Sequence, residues 1–105
     1  MKPPRTIAVG PYRFTVTQAP LENPTDGTLH SYAVTQKNQE TITLHTGQSA
    51  GNLRDTLFHE VLHTCWHAGC LPSGQEEEII GTLSPLLLDT LRRNPRLIEF
   101  LFEDL

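Results

Sequence analysis

The stretch DTLFHEVLHTCWHAGCLP, residues 55–72, holds three histidines spaced four apart, two cysteines, and a glutamate directly after the first histidine. Its flanks read as helix punctuation. Asn52 can cap the amides of the following turn, with Asp55 three residues on completing a capping box. Gly69 supplies a C-terminal stop and Pro72 prevents resumption, which predicts a helix over about 53–68. Leu62 and Trp66 read as core positions on it.

Within that helix His59-Glu60-Val61-Leu62-His63 is H-E-x-x-H. Side chains four apart lie one above the other on a helix, so the two imidazoles can reach one tetrahedral Zn²⁺ while Glu60 sits beside the open coordination position. There Glu60 would accept a proton from a metal-bound water and later deliver it to a leaving amine, which is the chemistry of amide hydrolysis. His67 continues the series, but three residues over eight positions span about 12 Å at 1.5 Å per residue, too far for one ion. The metzincin extension needs Gly three residues after the second histidine, where Trp66 stands. Cys65 and Cys70 with His67 form an alternative second metal site that has no fourth donor; otherwise they read as free thiols.

The third ligand is expected in GQEEEII, residues 74–80. Glu76 also reads as the capping partner of Ser73. Glu77 precedes Gly81 and Ser84 by four and seven residues, small side chains that would let two helices approach, and is preferred over Glu76 and Glu78 as the ligand. Glutamates that do not ligate would complement the helix N-terminus. The same helix runs on through Ile79, Ile80, Leu83, Leu86, Leu87 and Leu91 with helical spacing, and Pro85 should kink or interrupt it. Asn94-Pro95 opens a short final helix with Leu97, Ile98, Leu101 and Phe102 on its buried side.

Upstream, alternation in TIAVGPYRFTVT (6–17), LHSYAVT (29–35) and TITLHT (41–46) predicts three or four short strands, with loop chemistry in APLENPTDGT (19–28) and a turn at QKNQE (36–40). The chain therefore reads as one α+β domain: a small antiparallel or mixed sheet followed by three helices. Leu and Ile concentrate after Asn52, so the second half is expected to carry the core. The strand over 41–46 is expected to be the sheet edge beside the cleft, open to an added peptide strand. Tyr12, His30, Tyr32 and His45 are candidates to steady an oxyanion.

Composition narrows the setting. The 105 residues carry a net charge of −4 with scattered basic residues, which argues against a nucleic-acid partner. No apolar run follows Met1-Lys2-Pro3-Pro4 and none reaches membrane-spanning length, so neither export nor membrane insertion is signalled and a reducing cytoplasm is expected.

The run TLFHEVLHTCWHAGCLPSGQEEEIIGTLSPLLLDTLRRNP, residues 56–95, resembles the minimal gluzincins and the ImmA/IrrE-type metallopeptidases and is similar to small phage-encoded proteins of that kind. The resemblance covers about residues 41–95 and is strongest over 56–84. It implies a zincin-like fold, His59 and His63 as zinc ligands, Glu60 as base, a downstream glutamate as third ligand, and a protein or peptide substrate such as a phage or host regulator. The rival expectation from a different class is a zinc-stabilised module that binds a peptide and cuts nothing.

Overall fold

The computed structural model describes residues 2–21 and 32–103. Four strands, β1 (Thr6–Val9), β2 (Tyr12–Ala19), β3 (Ala33–Gln36) and β4 (Thr41–His45), precede three helices, α1 (Ala50–Ala68), α2 (Glu76–Arg93) and α3 (Pro95–Phe102). The α+β order matches the sequence expectation. The part of the third predicted strand at 29–31, with His30, lies outside the described residues.

The sheet is mixed, in the order β1-β2-β4-β3. β1 and β2 form a hairpin in which Gly10 takes the left-handed conformation, φ 54°. β2 then pairs in parallel with β4, and β3 pairs antiparallel with it. This corrects the expected edge. β4 is interior, because a long-range parallel pairing with β2 occupies the side that local alternation left open. The edge beside α1 is β3.

Period-two alternation sends Phe14, Ile42, Leu44 and Ala33 to one face of the sheet, where they are buried, and Leu53 and Leu57 of α1 cover them. Burial of each large side chain contributes about 1.5–3 kcal/mol. The core is therefore in the first half of the chain, not the second: among the described residues past 52, Ile80 alone is a buried hydrophobic residue. On α2 and α3, Leu83, Leu86, Leu87, Leu97, Phe100, Leu101 and Phe102 are exposed, Phe100 at 72%. Of the predicted buried side of α3 only Ile98 is half-buried. Apolar spacing offered these residues a face, but among the described residues no second layer covers it.

Helix boundaries also differ in detail. The N-cap of α1 is Ser49, whose Oγ accepts from the Asn52 amide at 3.1 Å, so the helix starts three residues before the predicted point and Asp55 takes no part in a cap. At the other end the left-handed residue is Cys70, φ 55°, following Gly69 in a right-handed conformation. The Leu71 amide then returns to the Trp66 carbonyl at 3.2 Å. α2 begins without a side-chain cap, since Glu76 is drawn elsewhere, and it continues as helix past Pro85. Leu62 and Trp66 are half-buried on an apolar groove between α1 and α2 rather than in the core. Among the described residues no helix is long and apolar enough to cross a membrane.

Candidate metal centre

Residues 53, 57, 60 and 64 recur at three and four positions, so Leu53, Leu57, Glu60 and Thr64 form the stripe of α1 turned to the sheet. Glu60 thus enters the interior, 4% exposed. A carboxylate there is costly without a donor. Thr35 supplies one: it stands opposite Ile42 in the β3–β4 register, so its side chain shares the core face, and its Oγ1 donates to Glu60 Oε1 at 2.5 Å. Sequence reading gave Thr35 no role. Alternation along β3 was the available signal, and it needed the partner strand to set the face.

His59 and His63 lie about 100° around the helix from that stripe, on the side facing α2. Their Nε2 atoms are 3.2 Å apart. Across from them, Glu77 Oε1 is 2.9 Å from His59 Nε2 and Glu77 Oε2 is 2.7 Å from His63 Nε2. Glu76 does something different: its Oε2 accepts from His63 Nδ1 at 2.6 Å, and Lys37 Nζ lies 3.9 Å from the same oxygen. With Nδ1–H committed to Glu76, the lone pair of His63 is left on Nε2, toward His59 and Glu77. Glu78 is exposed and joins none of these contacts.

On α2 the buried residues that accompany this approach are Ile80, which shares an apolar groove with Leu62 and Trp66, and Ser84, which lines a cleft with His59 and Glu60. This rotation of α2 points two consecutive glutamates at the two nitrogens of one imidazole. This explains why the capping pattern at Ser73 is unused: the carboxylate expected to serve as cap is the partner of His63.

The donor set fits a divalent cation of zinc type. Ligands at about 2.0–2.1 Å from a tetrahedral ion stand roughly 3.3 Å apart, close to the 3.2 Å between the imidazole nitrogens. His59, Glu60 and His63 each bring a ligand atom within 4.8 Å of the others. The buried Glu60 is, however, bonded to Thr35, whereas Glu77 touches both nitrogens. Either carboxylate can stand with the two imidazoles, Glu77 by touching both nitrogens and Glu60 from the sheet side.

A cleft of about 270 Å³ opens next to His59 and Glu60, between α1 and α2. Of the four oxyanion candidates Tyr32 lines it. His45 is not in the lining; its Nδ1 accepts from the Leu21 amide at 3.0 Å and its ring lies 6.4 Å from that of Tyr32, while Tyr12 packs on His67 at 5.3 Å between ring centres. Among the described residues His67, Cys65 and Cys70 form no metal-holding group, and Cys65 and Cys70 are both exposed free thiols. Comparison of the chain with models of known protein families, with curated proteins and with solved structures finds no match.

Proposed function

We propose that this chain is a zinc-dependent metallopeptidase of the minimal gluzincin, ImmA/IrrE-like kind, with a zincin-like arrangement of sheet, H-E-x-x-H helix and glutamate helix. His59, His63 and Glu77 hold the ion and Glu60 is the general base. The observation that carries the reading is the Glu77 carboxylate meeting both imidazole nitrogens while a separate carboxylate, Glu60, is held by Thr35 at the wall of an open cleft. A purely structural site has no use for that second carboxylate.

Zinc held by His59, His63 and Glu77 would supply Lewis acidity, polarising a carbonyl oxygen and making water acidic. The chain's own residues do the rest. Glu60 removes a proton from the attacking water as its oxygen bonds to the carbonyl carbon. The same carboxyl then returns that proton to the amine nitrogen as the C–N bond breaks. The Thr35 hydroxyl fixes the rotamer of Glu60. The Tyr32 side chain, on the cleft wall, is placed to steady charge that develops on the carbonyl oxygen. An extended protein or peptide substrate can pair with β3, the sheet edge next to α1. A phage or host regulator in the cytoplasm is the substrate that the resemblance suggests.

The test joins metal content to turnover. Protein purified without a metal-affinity column is expected to carry one zinc per chain and to cut an unfolded protein substrate. Glu60→Gln should retain zinc and fold while turnover falls by about 10²–10⁴-fold. Undiminished turnover in Glu60→Gln would overturn the base assignment. Zinc retained by His59→Ala and by Glu77→Ala would overturn the ligand set.

A further inference from the structure

The cleft beside the candidate base is chemically lopsided. Two carboxylates, Asp55 and Glu60, line it, and no lysine or arginine does. Glu60 is committed to Thr35. Asp55 enters none of the ion pairs among the described residues, is not in the first turn of α1 where it would offset the helix dipole, and is not the capping residue that its spacing from Asn52 suggested. It is an exposed carboxylate at the cleft wall.

The opposite wall comes from α2. Pro85 has no N–H to return to the Gly81 carbonyl one turn back, and both residues line the cleft. That carbonyl is released from the helix ladder and available as an acceptor. Leu88 and the ring of Tyr32 add apolar surface, and Gly81 and Ser84 keep the wall low. The lining's neutral donors include Asn52 Nδ2 and Thr56 Oγ1, both committed to Gln48 Oε1, and its only full charges are the carboxylates; set beside apolar side chains, these suit a long aliphatic stem ending in a cation. Asp55 lies one helical turn before His59, about 6 Å along the axis, which is the reach of an extended lysine or arginine.

We propose that this cleft receives a lysine or arginine side chain adjacent to the bond that is cut, and that Asp55 selects it. The proposal rests on the peptidase reading for the position of the cut and on the cleft alone for the preference. The apolar wall holds the methylene stem, and the cationic head pairs with Asp55 and the Gly81 carbonyl.

Two measurements on the full, zinc-loaded chain test it. In the first, a randomised peptide library is digested and the cut ends are read by mass spectrometry, with a basic residue at one flanking position expected to be enriched about tenfold. In the second, Glu60→Gln protein is titrated with a pair of otherwise identical peptides, one carrying arginine and one its neutral isostere citrulline. The arginine peptide should bind about tenfold tighter, Asp55→Asn should collapse the ratio toward one, and Asp55→Lys should invert it in favour of the citrulline peptide.

Cleavage without basic enrichment would overturn the preference and leave the peptidase reading standing. Arginine-selective binding that depends on Asp55, with the library uncut, would uphold the cleft and overturn hydrolysis. Equal binding of the two peptides, or discrimination that survives Asp55→Asn, would end the proposal.

Discussion

In the sheet and the stripe of α1 that covers it, large apolar side chains are withdrawn from water, with Phe14, Ile42 and Leu44 fully buried. In α2 and α3 most of them are not, and the buried set shrinks to Ile80 among polar or small neighbours, Glu76 and Ser84. The candidate metal centre straddles this divide. His59, His63 and Glu60 ride on a helix fixed by the hydrophobic core. Glu76 and Glu77 ride on one whose attachment is a narrow seam together with the polar contacts to the two histidines. One half of the site is thus positioned by burial and the other in large part by the side chains of the site itself. In such an arrangement metal affinity and docking of α2 are the same free energy seen from two ends.

The comparison can be broken most forcefully from the body. Phe14→Ala leaves a cavity in the core and should cost about 3–5 kcal/mol, read as a lower midpoint in urea unfolding. A loss as small as that of a surface substitution would mean that the sheet is not the stabilising half. Next comes removal of zinc. If the ion joins the helices, a chelator should lower stability by about 2.7 kcal/mol relative to protein at a free zinc concentration 100-fold above Kd. Hydrogen exchange should then speed up along α2 well before it does in β2 and β4. Uniform loosening of both regions would erase the distinction.

Smaller is the effect of Glu76. Because it bonds the far nitrogen of His63, a proposed ligand, Glu76→Ala should weaken zinc about 10–100-fold in a chelator competition, and Glu76→Gln, which keeps an acceptor oxygen for Nδ1–H, should recover part of the loss. Equal affinity in Glu76→Ala and parent would show that the pair does not orient His63. The smallest expected change is at Leu86, 61% exposed on α2. Leu86→Ser should alter stability by less than about 0.5 kcal/mol, and a large loss at low protein concentration would show that the α2 surface contributes to the fold after all.

Legibility followed the range of the interaction. The helix bearing H-E-x-x-H, its histidines and the glutamate-rich start of the next helix could be read directly, because caps, breakers and i, i+4 spacing are local. Among Glu76, Glu77 and Glu78 the choice was underdetermined. Consecutive residues stand about 100° apart on a helix, so the one that faces His59 depends on the rotation of α2, which buries Ile80 and Ser84. Asp55 was misread for a related reason: a capping pattern existed at Asn52, but Ser49 offered an earlier one. The location of the core was misjudged because counting Leu and Ile says how much apolar surface exists and not what covers it. Strand β4 became interior through a parallel pairing between segments more than twenty residues apart, which no local pattern announces.

By itself, then, the sequence determined the α+β order of elements, two imidazoles on one helical face with a carboxylate beside them, and acidic side chains at the start of the following helix. These follow from backbone periodicity and from the chemistry of adjacent residues. The tertiary structure decided that Thr35 secures Glu60, that Glu76 steadies His63 while Glu77 meets both imidazoles, that β3 is the open edge, and that Asp55 lines the cleft. Each of those depends on which faces meet when strands pair and helices pack, and that is settled by burial over the whole chain.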